Sequence, residues 1–271
     1  EAAPGMTASA PSGRLHEYAP VLATLRVMAH RNLTRLVRLP AILVPMVVMP
    51  LFFVVAFTGS FDGIRNDPLY PTDKVINWVA AFAMLQGASF AGVGAAGAMA
   101  NDMDTGFLDR LLVSPIRRST LIIGPLLYTA VRAFVPLTIV MIGAAVAGAD
   151  FPGGPAGVLV AYVGGVGGAL VFGTFGLAVV LRIGDIRAMT IVQMAGFLVL
   201  FPSIGQVPIS MLTGWMESAA RVNPATNVLR LVRQGFLGPV TWEQTWPGLL
   251  VLAVGIAGFF TWGRFELARR T

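Results

Sequence analysis

The sequence predicts an all-α, polytopic membrane protein. It has six transmembrane helices, cytoplasmic termini, an N-terminal amphipathic interface helix and a partly re-entrant segment between spans five and six. Three observations predict this. Hydrophobic residues make up 56% of the chain and charged residues 12%, against roughly 25% charged in an ordinary globular protein. The apolar residues form long unbroken runs, near the ~20 residues that carry a helix across a bilayer, rather than the short alternating strands of a barrel. The cations gather in alternate connections between those runs.

Residues 1–5 precede Met6 and read as an appended remnant; residues 6–40 form an arginine-bearing cytoplasmic leader in which no cleavable signal peptide is seen. Within the leader, Leu22, Leu25, Ala29, Leu33 and Leu36 follow helical spacing, while Arg31, Arg35 and Arg38 share another face. That pattern suits a helix lying in the inner interface with its arginines at anionic headgroups. It suits equally a basic flank that fixes topology.

Spans are predicted at 41–58, 75–100, 132–148, 156–181, 188–212 and 246–263, so that 41–263 is the transmembrane domain and 264–271 a cytoplasmic tail. Eighteen of the nineteen cations are arginine. With the N-terminus inside, the arginines of the leader, of 101–118, of the 182–187 loop and of the tail are cytoplasmic. Only Arg65, Lys74, Arg221, Arg230 and Arg233 fall outside.

Helical patterning around the third span runs from Ser119 to Gly148, roughly 45 Å at 1.5 Å per residue and longer than a ~30 Å hydrocarbon core. Its first turns therefore project inward. Arg132 is expected at the inner boundary, snorkelling; the alternative is a deeper site, where arginine is costly and usually functional. Gly92, Gly94 and Gly97 in span two, and Gly164, Gly165, Gly167 and Gly168 in span four, indicate close helix packing rather than a phosphate loop.

Pro202 and Pro208 break the fifth span. Asn223 and Pro224 mark a turn, after which Thr226 or Asn227 is placed to cap a short helix. Val228, Leu231, Val232 and Phe236 share one face of that helix and Arg230 and Arg233 the other, which predicts an amphipathic helix at the outer surface or dipping partly in. Trp215, Trp242 and Trp246 then sit at headgroup level.

Several chemistries are excluded. Cysteine is absent, so there are no disulfides or thiolate metal sites. The single lysine, Lys74, has no glycine-rich loop before it, so the chain lacks the usual ATP-binding loop. Both histidines, His16 and His30, lie in the leader, and no metal site is assigned. The remaining enzymatic possibility is a Mg²⁺-dependent membrane prenyltransferase using Asn101, Asp102, Asp104 and Asp109 to clamp a diphosphate. Its spacing is poor: Thr105 stands where the second aspartate belongs, and the other cytoplasmic loop offers only Asp185.

The segment 101–120, NDMDTGFLDRLLVSPIRRST, interrupts the apolar sequence. As a helix over 106–113 it sets Phe107, Leu108, Leu111 and Leu112 on one side and Asp109 and Arg110 on another. Asp102 and Asp104 precede its start, where the macrodipole favours negative charge. Pro115 ends it, and Arg117 and Arg118 follow. A protruding apolar ridge of this kind needs lipid or a protein groove.

This segment, with its Gly106, apolar pairs, and Ser114 and Pro115 before the arginines, resembles the loop between spans two and three of ABC-2-type transporter permeases. The stretch RLPAILVPMVVMPLFFVVAF resembles that family's basic leader and proline-bearing first span, and RVNPATNVLRLVRQGFLG its Asn-Pro element before the last span. The resemblance extends from about Leu15 to Arg264, and its nearest flavour is the daunorubicin-resistance-type drug-export permease. The chain departs by carrying Asp102, Asp104 and Asp109 where glutamate is frequent.

The resemblance implies the permease subunit of an ABC exporter acting as a homodimer or heterodimer, with a separate ATPase subunit that holds ATP and Mg²⁺; this chain binds no cofactor. It also implies that 101–118 is the coupling loop. Phe107, Leu108, Leu111 and Leu112 would dock on the ATPase, with Arg110 and the aspartates setting register. An importer or lipid flippase of the same fold, and a purely structural anchor, are the alternatives. Phe52, Phe53, Trp78, Phe82, Gln86, Gln193 and Phe197 are candidates for a path carrying a lipophilic, drug-like or lipid cargo. Arginine-rich, lysine-poor and Ala/Gly/Val-rich usage points to a bacterium of high GC content, and the resemblance implies its plasma membrane.

Overall fold

The computed structural model describes residues 43–113 and 118–270. The leader, with Arg31, Arg35 and Arg38, lies outside the described residues, as do Ser114 and Pro115. Among those described, no strand is present. The helices are α1 (Leu43–Ser60), α2 (Val75–Asp104), α3 (Phe107–Leu112), α4 (Arg118–Val146), α5 (Gly154–Ile183), α6 (Ala188–Leu200), α7 (Trp215–Val222), α8 (Pro224–Leu237) and α9 (Trp242–Ala268). Four of these, α2, α4, α5 and α9, are long and apolar enough to cross a membrane, and Met46–Ser60 and Ala188–Leu200 are shorter apolar helices.

Helix α2 is the axis of the bundle. Its most apolar window is 89% buried, against 17% for that of α9. Small residues make this possible. A Cβ added to Gly92 would lie 2.5 Å from the Ala169 carbonyl oxygen of α5, so any side chain there drives two backbones apart. In a bilayer, where apolar surface gains little by leaving lipid, this close approach is what drives helix association.

The helices run alternately up and down, and polar locks pin each end. At one end Lys74 donates from Nζ to the Gly148 carbonyl and to Asp150, each at 2.9 Å, and Asn77 accepts from the Asp150 amide. At the other end, beside α3, Glu266 accepts from Arg182 and from the Trp262 indole at 2.9 Å. There Arg270 donates to the Leu181 carbonyl and satisfies a terminal carbonyl of α5.

The fifth apolar run differs from expectation. Helix α6 ends at Leu200, not near 212, and an irregular stretch with a 3-10 turn at Ile209–Met211 follows. Pro202 and Pro208 lack the N–H a continuing helix requires; Phe201, before Pro202, is the last residue with helical backbone in that run. Asn223, rather than Thr226 or Asn227, caps α8: its side chain accepts from the Ala225 amide at 2.9 Å, with Pro224 in the first turn. The Thr226 hydroxyl instead donates back to the Ala220 carbonyl.

Helix α8 is not a surface helix. Ten of its fourteen residues are buried, and a Cβ on Gly157 of α5 would lie 2.6 Å from the Gly235 Cα. Two facing glycines let α8 press into the bundle against α2, α5 and α9. Trp215, Trp242 and Trp246 remain exposed.

Arg132 is a second correction. It lies fourteen residues into α4, roughly 21 Å from that helix's start, and is 4% exposed. The guanidinium packs on Gly94 of α2, where any Cβ would collide with it, and hydrogen-bonds with Tyr128 one turn earlier. An interior site beside a side-chain-free position replaces the snorkelling site.

Candidate functional site

The charged interruption is built as a hook at one end of the bundle. Helix α2 continues through Asp104, and the Thr105 hydroxyl donates to the Asn101 carbonyl at 2.8 Å. Gly106 then adopts φ +65°, a left-handed conformation that glycine enters without Cβ strain, and α3 departs at once. Asp102 and Asp104 therefore belong to the last turn of α2 rather than to the approach to α3. The macrodipole opposes their charge there, so they do not act as α3's favourable N-terminal anions.

The apolar side of α3 faces its own chain. Leu108 is 3% exposed and belongs to an apolar cluster that also holds Met99, Ala100, Leu121, Ile122, Val180, Leu181 and Leu267, with Leu111 and Leu112 half-buried against the same cluster. Phe107 is also half-buried. Of the expected protruding ridge, Leu108 is thus turned inward as an anchor, while Phe107, Leu111 and Leu112 keep part of their surface exposed. A six-residue helix has too few hydrogen bonds to persist alone, and burying Leu108 in a cluster drawn from α2, α4, α5, α6 and α9 holds it in place. Outward face Asp104, Thr105, Asp109 and Arg110, together with Val113 at 87% exposure. No three His, Cys, Asp or Glu side chains converge as a metal site among the described residues.

The expected cargo-path residues divide into four environments. Gln86, Gln193 and Phe197 come together with Ser89, Phe90, Val93, Gly196 and Leu200 around a cavity of about 20 Å³ between α2 and α6, room for about one water. Gln86 is 2% exposed, and neither of its amide atoms has a hydrogen-bond partner among the described residues. Phe53 and Phe82 instead join Phe57 and Phe201 in an aromatic cluster with centroids 5.2–6.3 Å apart. Phe52 faces outward at 59% exposure.

Trp78 belongs elsewhere, at the end away from α3. The Arg233 guanidinium lies 3.7 Å from its ring centroid, donates from Nε to the Trp78 carbonyl at 2.9 Å and from Nη2 to the Gly205 carbonyl at 3.0 Å. Arg233 is 2% exposed, although the amphipathic pattern assigns it to the polar face beside Arg230. Its contacts lie 28 and 155 residues away in sequence, beyond the reach of any local signal. Tyr70 lies tilted against Trp78 at 5.9 Å between centroids but supplies no counter-charge: burial pushes its phenol up to about 12 despite the nearby arginine.

The order of elements is therefore a long α2, a left-handed glycine hook, a short helix tucked beneath the bundle, and an Asn-Pro cap opening an inserted α8. The family described as ABC-2 type transporter matches residues 23–237, a span that includes all of these elements. No curated protein matches the chain. The chain belongs to the ABC-2 type transporter family and is a permease component of an ABC transporter, a membrane protein of a family that normally works with an ATP-binding subunit.

Proposed function

We propose that this permease is the membrane half of an exporter of lipophilic, drug-like or lipid cargo, of the daunorubicin-resistance type. It acts as a dimer in a bacterial plasma membrane with six spans, both termini and α3 on the cytoplasmic side. ATP and Mg²⁺ are held by a separate nucleotide-binding subunit. The observation that carries the reading is the α3 hook: Leu108 ties a charged, exposed surface to the ends of four bundle helices. Force applied to Asp109 and Arg110 reaches α2 through Gly106 and reaches α4, α5 and α9 through the Leu108 cluster. That makes α3 a lever between an ATPase and two packed arrangements of the bundle.

The cargo assignment rests on the cavity between α2 and α6. Aromatic and small walls suit a lipophilic body, and the Gln86 amide offers one donor and one acceptor to a polar group on it. At about 20 Å³ the cavity is too small for such a body, so cargo entry requires α2 and α6 to part.

The test is isolation of the permease from native membranes in mild detergent, followed by mass spectrometry and reconstitution. An ATP-binding subunit should co-purify, and the vesicles should accumulate a lipophilic dye only with ATP. Absence of any ATPase from the complex, or magnesium- and diphosphate-dependent chemistry by the chain alone, overturns the reading.

A further inference from the structure

At the end of the bundle opposite α3, Trp78, Ile204, Ile209, Arg230, Arg233, Gln234, Leu237 and Gln244 enclose an open cavity of about 380 Å³. That size falls in the range of small-ligand sites. Its charge is one-sided. Two arginines line it and no carboxylate does.

Arg233 is 98% buried in consequence of its 2% exposure, and it uses only part of its donor set on the protein. Nε and Nη2 are committed to the Trp78 and Gly205 carbonyls, but Nη1 has no hydrogen-bond partner among the described residues. The same is true of the Trp78 indole nitrogen. These two donors lie beneath the cavity surface on adjacent side chains that line it, and without an acceptor they are costly unless a small turn of either side chain lets a ligand or water complete them. The other polar group on the wall is already satisfied: Gln234 donates to the Thr245 hydroxyl and accepts from the Thr241 amide. Arg230 is exposed at the cavity edge.

We propose that this cavity binds a phosphate-type oxyanion carried on a small apolar body. Arg230 is the exposed cation that meets the anion first, Arg233 and the Trp78 indole are the donors that turn to it from the cavity floor, and Ile204, Ile209 and Leu237 are the apolar wall. A guanidinium held flat on an indole and anchored by two carbonyls is pre-organised, so little side-chain entropy remains to be lost when the anion arrives. The same chemistry is offered by an anionic lipid headgroup and by free phosphate. The site is distinct from the α2–α6 cavity and does not depend on coupling through α3. Its placement on the outer leaflet side alone rests on the orientation proposed above.

Calorimetric titration of the purified, detergent-solubilised full chain tests it. The probes are inorganic phosphate, dihexanoyl phosphatidic acid and zwitterionic dihexanoyl phosphatidylcholine. Saturable binding of phosphatidic acid is expected, with phosphatidylcholine at least tenfold weaker; binding of inorganic phosphate as well shows that the oxyanion alone suffices, and its failure to bind assigns the site to anionic lipid. Arg230→Gln, an exposed position, and Trp78→Phe, which keeps the ring beneath Arg233, should each weaken phosphatidic acid about tenfold, the size of one hydrogen bond to a charged group. No saturable binding of either anion, equal binding of phosphatidylcholine, or affinities unchanged in both variants overturns the proposal and leaves Arg233 as a backbone clamp.

Discussion

Arg110 stands exposed on a six-residue helix at one end of the bundle, whereas Arg233 at the other end is 2% exposed and held by an indole and two carbonyls. Both sit on short helices with a strongly apolar side, and both helices turn that side into the protein. The difference lies in what fixes the helix. Helix α3 is held by one leucine anchor and a glycine hook, and its charges are left outside, where the proposed ATPase would meet them. Helix α8 is held by a glycine-to-glycine contact with α5 so close that a charged residue is carried inside, where it survives only because backbone oxygens and an aromatic face receive it. A charge on an anchored lever and a charge in a clamp thus perform opposite tasks with the same side chain.

Substitutions can break this contrast from either end. The largest effect is expected for Arg233→Leu, which strands the Trp78 and Gly205 carbonyls together: a loss of about 3 kcal/mol, read as a lowered unfolding midpoint by tryptophan fluorescence in detergent. Leu108→Ala should cost about 2–3 kcal/mol if its cluster cannot collapse, and should also expose the Gly106–Phe107 link to limited proteolysis. Gly92→Ala sharpens the comparison by striking the common axis; with the Ala169 carbonyl 2.5 Å from the new Cβ, about 1–3 kcal/mol is lost. Smallest of all in stability is the double reversal Asp109→Lys with Arg110→Glu, within about 0.5 kcal/mol of the native chain. Yet it should abolish ATPase co-purification.

Much of this architecture was legible in the sequence. The apolar runs located the four long helices, and the helical period placed α3 within one residue at each end. The glycines of the second and fourth runs announced tight packing, which the Gly92 contact with α5 bears out. What periodicity could not supply is direction. Phe107, Leu108, Leu111 and Leu112 mark one face of a helix, but only the neighbouring ends of α4, α5 and α9 determine that this face turns inward. In water an apolar ridge seeks a partner's groove; here its own bundle ended close enough to provide one. Arg233 was misassigned for a related reason. Three residues after Arg230 it shares a polar stripe, and its burial is decided by a carbonyl and an indole from distant segments. Arg132 likewise reads as a snorkelling residue until Gly94 is seen opposite it.

The cysteine-free sequence gives a direct test of the central claim, that the outward charged face of α3 and not its apolar face meets the ATPase. Single cysteines are introduced at Arg110, Val113 and Leu108, and each variant is treated with a short bifunctional maleimide–amine reagent in native membranes. Arg110→Cys and Val113→Cys are predicted to cross-link to an ATP-binding subunit, in a manner altered by ATP, while Leu108→Cys remains within its own chain. Cross-linking from Leu108 as strong as from Val113, or none from any of the three, would contradict the account.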